Sequence, residues 1–68
     1  MKKNNIFGNI LKTYRKKMNL SQEDLAKKLG VSFQSVNRWE NGKYEPTKLA
    51  KVKLNELFKQ YNVEEIEE

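Results

Sequence analysis

Apolar side chains recur at helical spacing in four stretches of this 68-residue chain, and polar residues or glycines separate the stretches. In residues 6–18 an apolar residue recurs every three or four positions, which is typical of an amphipathic helix with one buried face. This stripe consists of Phe7, Leu11, Tyr14 and Met18, with Ile10 beside it. We therefore predict a first helix over this stretch and treat its aromatic residues as core residues without a functional role.

Residues 21–42 are predicted to form two short helices. Ser21 is a favourable N-cap for the first of them, and Asp24 completes the spacing of a capping box. Ser32 repeats the N-cap signal for the second helix, and Gly30 supplies the left-handed residue at which the first helix ends. Because so few residues remain between them, the two helices must cross at a steep angle in a helix-turn-helix arrangement.

An apolar seam joins the two predicted helices, which cover residues 21–29 and 32–41. The small residues Ala26 and Gly30 let the helices approach each other closely, and Gly42 ends the second helix. Trp39 lies on the seam, so we predict that it is a core residue and not a platform for stacking on bases. The apolar members of the seam are Leu25, Leu29, Val31, Val36 and Trp39.

This stretch resembles the Cro/CI-type (XRE-family, lambda-repressor-like) helix-turn-helix DNA-binding domain. The matching residues are LSQEDLA at 20–26, LGVS at 29–32 and RWENGK at 38–43. The resemblance extends over residues 6–61 and is closest in the middle third of the chain. It implies a compact all-α domain of about four or five helices, with the third helix reading the major groove of double-stranded DNA. The implied function is sequence-specific DNA binding by a bacterial or phage transcriptional regulator of the repressor type.

The outward side of the third helix carries polar residues suited to reading bases. Stepping by about 100° per residue puts Gln34, Arg38 and Asn41 opposite the buried side, with Asn37 beside them. Arg matches the edge of guanine, whereas Gln and Asn match adenine. Phe33 lies at the boundary, where it either presses on a thymine methyl group or covers the edge of the core. The candidate base-reading residues are Ser32, Phe33, Gln34, Asn37 and Arg38.

Phosphate contacts are expected on the flanks of this helix. The second helix begins with unpaired backbone N–H groups and a positive dipole end, which together favour an anion. Gln22 at this end either donates to a phosphate oxygen or is a solvated helix start. Lys2 and Lys3 either contact phosphate as an arm or belong to a solvated terminus. With the loop residues that the resemblance adds, the candidate phosphate contacts are Gln22, Asn41, Lys43 and Tyr44.

The resemblance also implies an ion pair between Arg15 in the first helix and Glu40 in the third. Such a pair ties the two helices together. It adds little net stability, but removing one partner is costly because the other charge is left stranded. Glu40 is therefore assigned a structural role.

A fourth helix is predicted over residues 47–61, because Pro46 and Thr47 form a helix-start signal. Its apolar stripe consists of Ala50, Leu54, Leu57 and Tyr61, with Phe58 beside it. We place one DNA-binding domain at residues 1–61 and a short acidic tail at residues 62–68. In the tail, Val63 and Ile66 either add a helical turn or remain disordered. We expect a weak homodimer, or a monomer in solution that pairs on DNA. The evident candidates for a dimer surface are Phe58, Tyr61, Val63 and Ile66.

The charge distribution favours a polyanionic partner. The whole chain carries a net charge of +5, but four of its nine acidic residues lie in the tail. Residues 1–61 therefore contain fourteen basic and five acidic residues, a net charge of +9. A basic body with an acidic tail is typical of proteins that bind nucleic acid, although a lysine-rich surface also serves solubility.

The composition argues against catalytic chemistry. The chain has no Cys and no His, which excludes thiol nucleophiles, imidazole bases and the usual zinc sites. We expect no enzymatic activity, cofactor, metal or small-molecule ligand. The chain shows neither a signal-peptide pattern nor an apolar run of membrane-spanning length, so a cytoplasmic location is expected. The alternative function is an antitoxin or protein-interaction module built on the same fold.

Overall fold

The protein is described by a computed structural model that covers residues 6–63. Over this range the chain forms four helices and no strand: α1 Ile6–Lys17, α2 Gln22–Leu29, α3 Phe33–Glu40 and α4 Lys48–Gln60. The all-α prediction is confirmed, and the helix bounds differ from the predicted ones only because the predictions included the capping residues. The expectations for Lys2, Lys3 and Ile66 lie outside the described residues.

Side-chain caps fix where three of these helices begin. Ser21 Oγ accepts from the backbone N–H of Asp24 at 3.0 Å, and Asp24 Oδ2 accepts from the N–H of Ser21 at 3.5 Å. The predicted capping box of α2 is therefore confirmed. Ser32 Oγ caps α3, and Thr47 caps α4 by accepting from the third backbone N–H of the helix. Each cap satisfies an N–H group that has no partner inside its helix.

Each of the four described helices ends in the same backbone motif. A residue in the left-handed conformation follows the helix, and the N–H of the next residue bonds back to the carbonyl group five positions earlier, at 2.9–3.2 Å. This is the Schellman arrangement. The sequence predicted the two glycines in this role but missed the two asparagines, although Asn is the residue that best replaces Gly there. The left-handed residues are Asn19, Gly30, Gly42 and Asn62.

The core lies where α1 and α4 close around the helix-turn-helix formed by α2 and α3. In it, α2 packs against α3 and α4, and α1 packs against α3. Trp39 is 7% exposed, and the predicted seam is buried except for Val31, which is half-buried against it. The buried apolar residues are Leu11, Met18, Leu25, Ala26, Leu29, Val36, Trp39, Leu54, Leu57 and Phe58.

Two expectations for α4 are wrong. Phe58 is fully buried, because its ring packs edge-on against Tyr14 of α1 with the ring centroids 5.0 Å apart. It cannot contribute to a dimer surface. Tyr61 was expected on the buried stripe but is 37% exposed, since it is the C-cap that follows the last turn of α4. Within residues 6–63, none of the helices has the length and apolar character to cross a membrane.

Candidate nucleic-acid interface

The outer face of α3 is polar and exposed. Gln34 and Arg38 are both exposed and lie one helical turn apart, while Val36, Trp39 and Glu40 are buried on the opposite side. This division of the helix is the one that the hydrophobic pattern predicts. The face therefore presents hydrogen-bonding side chains to any partner that meets α3 from the outside.

Phe33 begins α3 and is 48% exposed. About half of its surface is therefore open to solvent. Contact with a thymine methyl group and cover of the core edge both stay predictions. The ring lies at the surface beside the exposed polar face.

Ser32 is held at the N-terminus of α3 by its own capping bonds. Its Oγ accepts from the backbone N–H of Ser35 at 3.1 Å and lies 3.0 Å from Ser35 Oγ. The hydroxyl group of Ser32 is therefore used locally, although the residue itself is exposed. Its first role is to start the helix that carries the polar face.

Arg15 and Glu40 form the predicted ion pair between α1 and α3. Arg15 Nε lies 2.6 Å from Glu40 Oε2, and Nη2 lies 3.2 Å from Oε1. The third guanidinium nitrogen, Nη1, donates to the backbone oxygen of Leu20 at 2.8 Å. The side chains of Arg15 and Glu40 are 11% and 1% exposed. The guanidinium thus binds both the carboxylate and the chain segment that leads into α2.

Gln22 extends this ion pair to the start of α2. Its Nε2 donates to Glu40 Oε1 at 2.9 Å, and its Oε1 accepts from Asn37 Nδ2 at 3.1 Å. An ionised carboxylate only accepts hydrogen bonds, so the amide nitrogen must be the group that faces Glu40. The orientation of the Gln22 amide is therefore set by the buried charge.

Asn37 and Asn41 continue the same series of hydrogen bonds to the end of α3. Asn41 Nδ2 donates to Asn37 Oδ1 at 3.1 Å. Asn37 is half-buried, and its amide both donates to Gln22 and accepts from Asn41. A two-point contact with adenine uses one amide oxygen and one amide N–H, and in Asn37 these groups already have protein partners. We call the whole series the polar ladder: Arg15, Glu40, Gln22, Asn37 and Asn41.

The loop after α3 folds back over the last turn of the helix. The N–H of Lys43 bonds to the carbonyl oxygen of Arg38 at 3.0 Å, which the left-handed conformation of Gly42 permits. Tyr44 follows and is 61% exposed. The guanidinium carbon of Arg38 lies over the Tyr44 ring, 5.5 Å from its centroid.

The N-terminus of α2 combines features that attract and repel anions. The first-turn N–H groups of Gln22 and Glu23 have no carbonyl partner inside the helix. The same turn, however, carries the carboxylates of Glu23 and Asp24. Asp24 is engaged in the capping box, whereas Glu23 is exposed. A phosphate that approaches this end therefore meets both free N–H groups and a negative side chain.

Sequence reasoning missed the contact between Gln22 and Glu40 and the contact between Arg38 and Tyr44. The first had a usable signal: a buried carboxylate has more acceptor positions than one guanidinium fills, so a further donor is expected nearby. The second had none, because it depends on how the loop returns over α3. Among residues 6–63, no group of three or more Asp, Glu, His or Cys side chains is arranged to hold a metal ion.

Comparisons with known proteins agree with this architecture. A helix-turn-helix family model (HTH_3) matches residues 11–66. An HTH-type transcriptional regulator of Methanocaldococcus jannaschii is 52% identical over 58 residues, which cover 74% of this chain and 88% of the relative. A second HTH-type transcriptional regulator, from Archaeoglobus fulgidus, is 38% identical over 48 residues, covering 71% of this chain and 68% of that protein.

A third relative extends the comparison along the chain. This HTH-type transcriptional regulator, from Methanothermobacter thermautotrophicus, is 28% identical over 57 residues, which cover 84% of this chain and 83% of the relative. These relatives are archaeal, and the bacterial or phage origin stays a prediction. No solved structure matches the chain at a significant level. The chain belongs to the Cro/CI-type (XRE) family of helix-turn-helix, DNA-binding transcriptional regulators.

Proposed function

We propose that this protein is a sequence-specific, double-stranded DNA-binding transcriptional regulator of the repressor type, whose α3 enters the major groove. The observation that carries the proposal is the exposed polar face of α3, which is joined to the core by the polar ladder. A reading helix must hold its side chains in a fixed register against the bases. Hydrogen bonds from a buried ion pair to the end of α3 supply such a fixed register.

Arg38 and Gln34 are the residues that we assign to base reading. The forked donors of Arg fit guanine O6 and N7, and the amide of Gln fits adenine N7 and N6. Phe33, exposed at the start of the same helix, is suited to contact with a thymine methyl group. Ser32, which precedes Phe33 at the start of α3, stays a candidate for base reading. Asn37 is assigned a positioning role instead, because it is half-buried and its amide joins Gln22 to Asn41 within the protein.

Gln22, Asn41 and Lys43 are the residues that we assign to the DNA backbone. Each Gln or Asn amide nitrogen has two N–H groups, and the ladder uses one of them. The second N–H group remains to donate to a phosphate oxygen. Lys43 adds a positive charge in the loop that follows α3. Such contacts orient a protein on the duplex without reading its sequence.

The basic charge of residues 1–61 supports a steep dependence of binding on salt. Each phosphate neutralised by a basic side chain adds about −0.9 to the slope of log K against log salt. The predicted domain boundary at residue 61 is moved in this proposal, because Val63 packs against the core and its N–H bonds to the carbonyl oxygen of Phe58. The DNA-binding domain then spans residues 1–63, and the acidic tail begins at residue 64. The protein acts on DNA in the cytoplasm, without enzymatic activity.

We also propose that two copies bind a two-fold symmetric site as a weak dimer that forms on DNA, with half-sites about one helical turn apart. Burial of Phe58 removes one of the residues expected in the contact. Tyr61 remains exposed, as do Leu49 and Val52 on α4, which are 67% and 50% exposed. Footprinting on a selected site tests the arrangement: two protected half-sites support it, and a single half-site contradicts it.

The decisive experiment is selection of bound sequences from a random duplex library, followed by titration at several salt concentrations. We expect an enriched sequence, tighter binding to it than to random duplex, and a steep loss of affinity as salt rises. A flat salt response with no enriched sequence would contradict the proposal. Capture of a specific protein partner by a chain that shows no DNA binding would support the interaction-module alternative.

A further inference from the structure

The contact between Arg38 and Tyr44 follows from the way that α3 ends. Gly42 adopts φ 78°, a left-handed conformation, and turns the chain back toward the helix. The N–H of Lys43 then bonds to the carbonyl oxygen of Arg38 at 3.0 Å. Because Tyr44 comes directly after this bond, its ring is delivered to the side of the turn from which the Arg38 side chain leaves. The backbone thus makes the contact a consequence of the helix end.

Tyr44 is the partner that the structure gives to the Arg38 guanidinium. The guanidinium carbon lies 5.5 Å from the ring centroid, within the distance at which a cation is attracted to an aromatic face. Among the described residues, no carboxylate lies within salt-bridge distance of Arg38. A contact with a ring face uses the charge of the guanidinium and leaves its N–H donors available. The donors that would meet a guanine are therefore not consumed.

A long side chain on an exposed helix face loses conformational freedom when it binds a base. Arg, with its long side chain, is among the residues that lose the most rotamer entropy in this way. A neighbour that already restricts the guanidinium lowers this cost for the one base pair that Arg38 reads. A tyrosine that acts in this way changes sequence preference without touching a base.

We infer that Tyr44 is a positioning residue for sequence choice, which acts through Arg38 by means of its ring. This inference rests on the proposed function, because it concerns how α3 reads DNA. It differs from the expectation that Tyr44 contacts phosphate, because in that role the hydroxyl group would make the contact. The two roles depend on different atoms of one side chain, so a pair of substitutions separates them.

The test compares Tyr44→Phe, which keeps the ring, with Tyr44→Leu, which removes it. Preference is measured as the ratio of affinities for the selected site and for the same site with the Arg38-read base pair replaced. We expect Tyr44→Phe to keep the wild-type ratio and Tyr44→Leu to lower it by about two- to fivefold. In an Arg38→Ala background, Tyr44→Leu should leave the ratio unchanged. Circular dichroism confirms that each variant is folded, as expected for a residue that is 61% exposed.

The inference would be overturned if Tyr44→Phe and Tyr44→Leu both lost affinity for the two sites alike and kept the wild-type ratio. That result would make Tyr44 a phosphate contact through its hydroxyl group. A readout without DNA keeps the inference separate from the proposed function. The ring should shift the NMR signals of the Arg38 side chain upfield in the wild type and in Tyr44→Phe, but not in Tyr44→Leu. Equal Arg38 shifts in all three proteins would contradict the contact, whatever the DNA result.

Discussion

Gln22 Nε2 donates to Glu40 Oε1 at 2.9 Å, on the carboxylate that Arg15 binds from the other side. This contact joins the start of α2 to a charge that is 1% exposed in α3. A residue assigned to the DNA surface is thereby oriented by the most buried charge among the described residues. Substitutions in the ion pair should therefore affect DNA binding as well as stability.

Removal of either partner of the ion pair should destabilise the fold. We expect Arg15→Met to lower the free energy of unfolding by about 3–5 kcal/mol, because it leaves the Glu40 charge buried without its guanidinium. Glu40→Leu should cost less, since Arg15 is more exposed and keeps its bond to the Leu20 carbonyl oxygen. The double variant should recover much of the loss. Urea titration measures all four proteins, and strictly additive losses would remove the pairing from the account.

Trp39 should be required for folding and not for a base contact. Its side chain is 7% exposed within the core. Trp39→Ala should cost about 3–5 kcal/mol, which is enough to unfold much of so small a domain. Trp39→Phe is the milder control, because it retains an aromatic ring. Circular dichroism and thermal melting give the result, and a fully folded Trp39→Ala protein that has lost only DNA binding would show that the residue faces DNA.

Arg38 and Lys43 should affect DNA binding in different ways. Arg38→Ala should lose about 1–3 kcal/mol on the selected site and little on random duplex, since it removes a base contact. Lys43→Ala should weaken binding to both DNAs alike and make the salt slope shallower by about one unit, since it removes a phosphate contact. Affinities for both DNAs at two or more salt concentrations decide this. If Lys43→Ala changed the preferred base while Arg38→Ala weakened both DNAs equally, the assigned roles would be reversed.

Asn37 should govern affinity and not preference. Asn37→Ala removes the link between Gln22 and Asn41, so we expect similar losses of affinity on the selected site and on random duplex. Asn37→Asp should cause a larger loss of affinity, because its carboxylate would face Gln22 Oε1. Both groups are hydrogen-bond acceptors, and neither has a hydrogen to donate. Asn37→Ala should also have a smaller effect in a Gln22→Ala background. A shift in the enriched base at one position would instead make Asn37 a base-reading residue.

The sequence by itself determined the helices and the side of each that faces the core. Helical periodicity and N-caps depend on residues within one or two turns of each other, so Ser21, Asp24 and Trp39 could be assigned without a structure. The same short-range rules divide α3 into a buried side and a polar side. Family resemblance, rather than spacing, supplied the pairing of Arg15 with Glu40.

Tertiary structure alone decided which side chains meet across elements. Phe58 is buried because α1 brings Tyr14 against it, whereas Phe33 at the start of α3 is 48% exposed. The amide of Asn37 is engaged because the crossing of α2 and α3 brings Gln22 within 3.1 Å of it. Contacts such as these depend on the angles at which the helices cross, and those angles are set by residues far apart in the chain. A helical pattern identifies the exposed face, but only the packing shows which of its side chains already have partners.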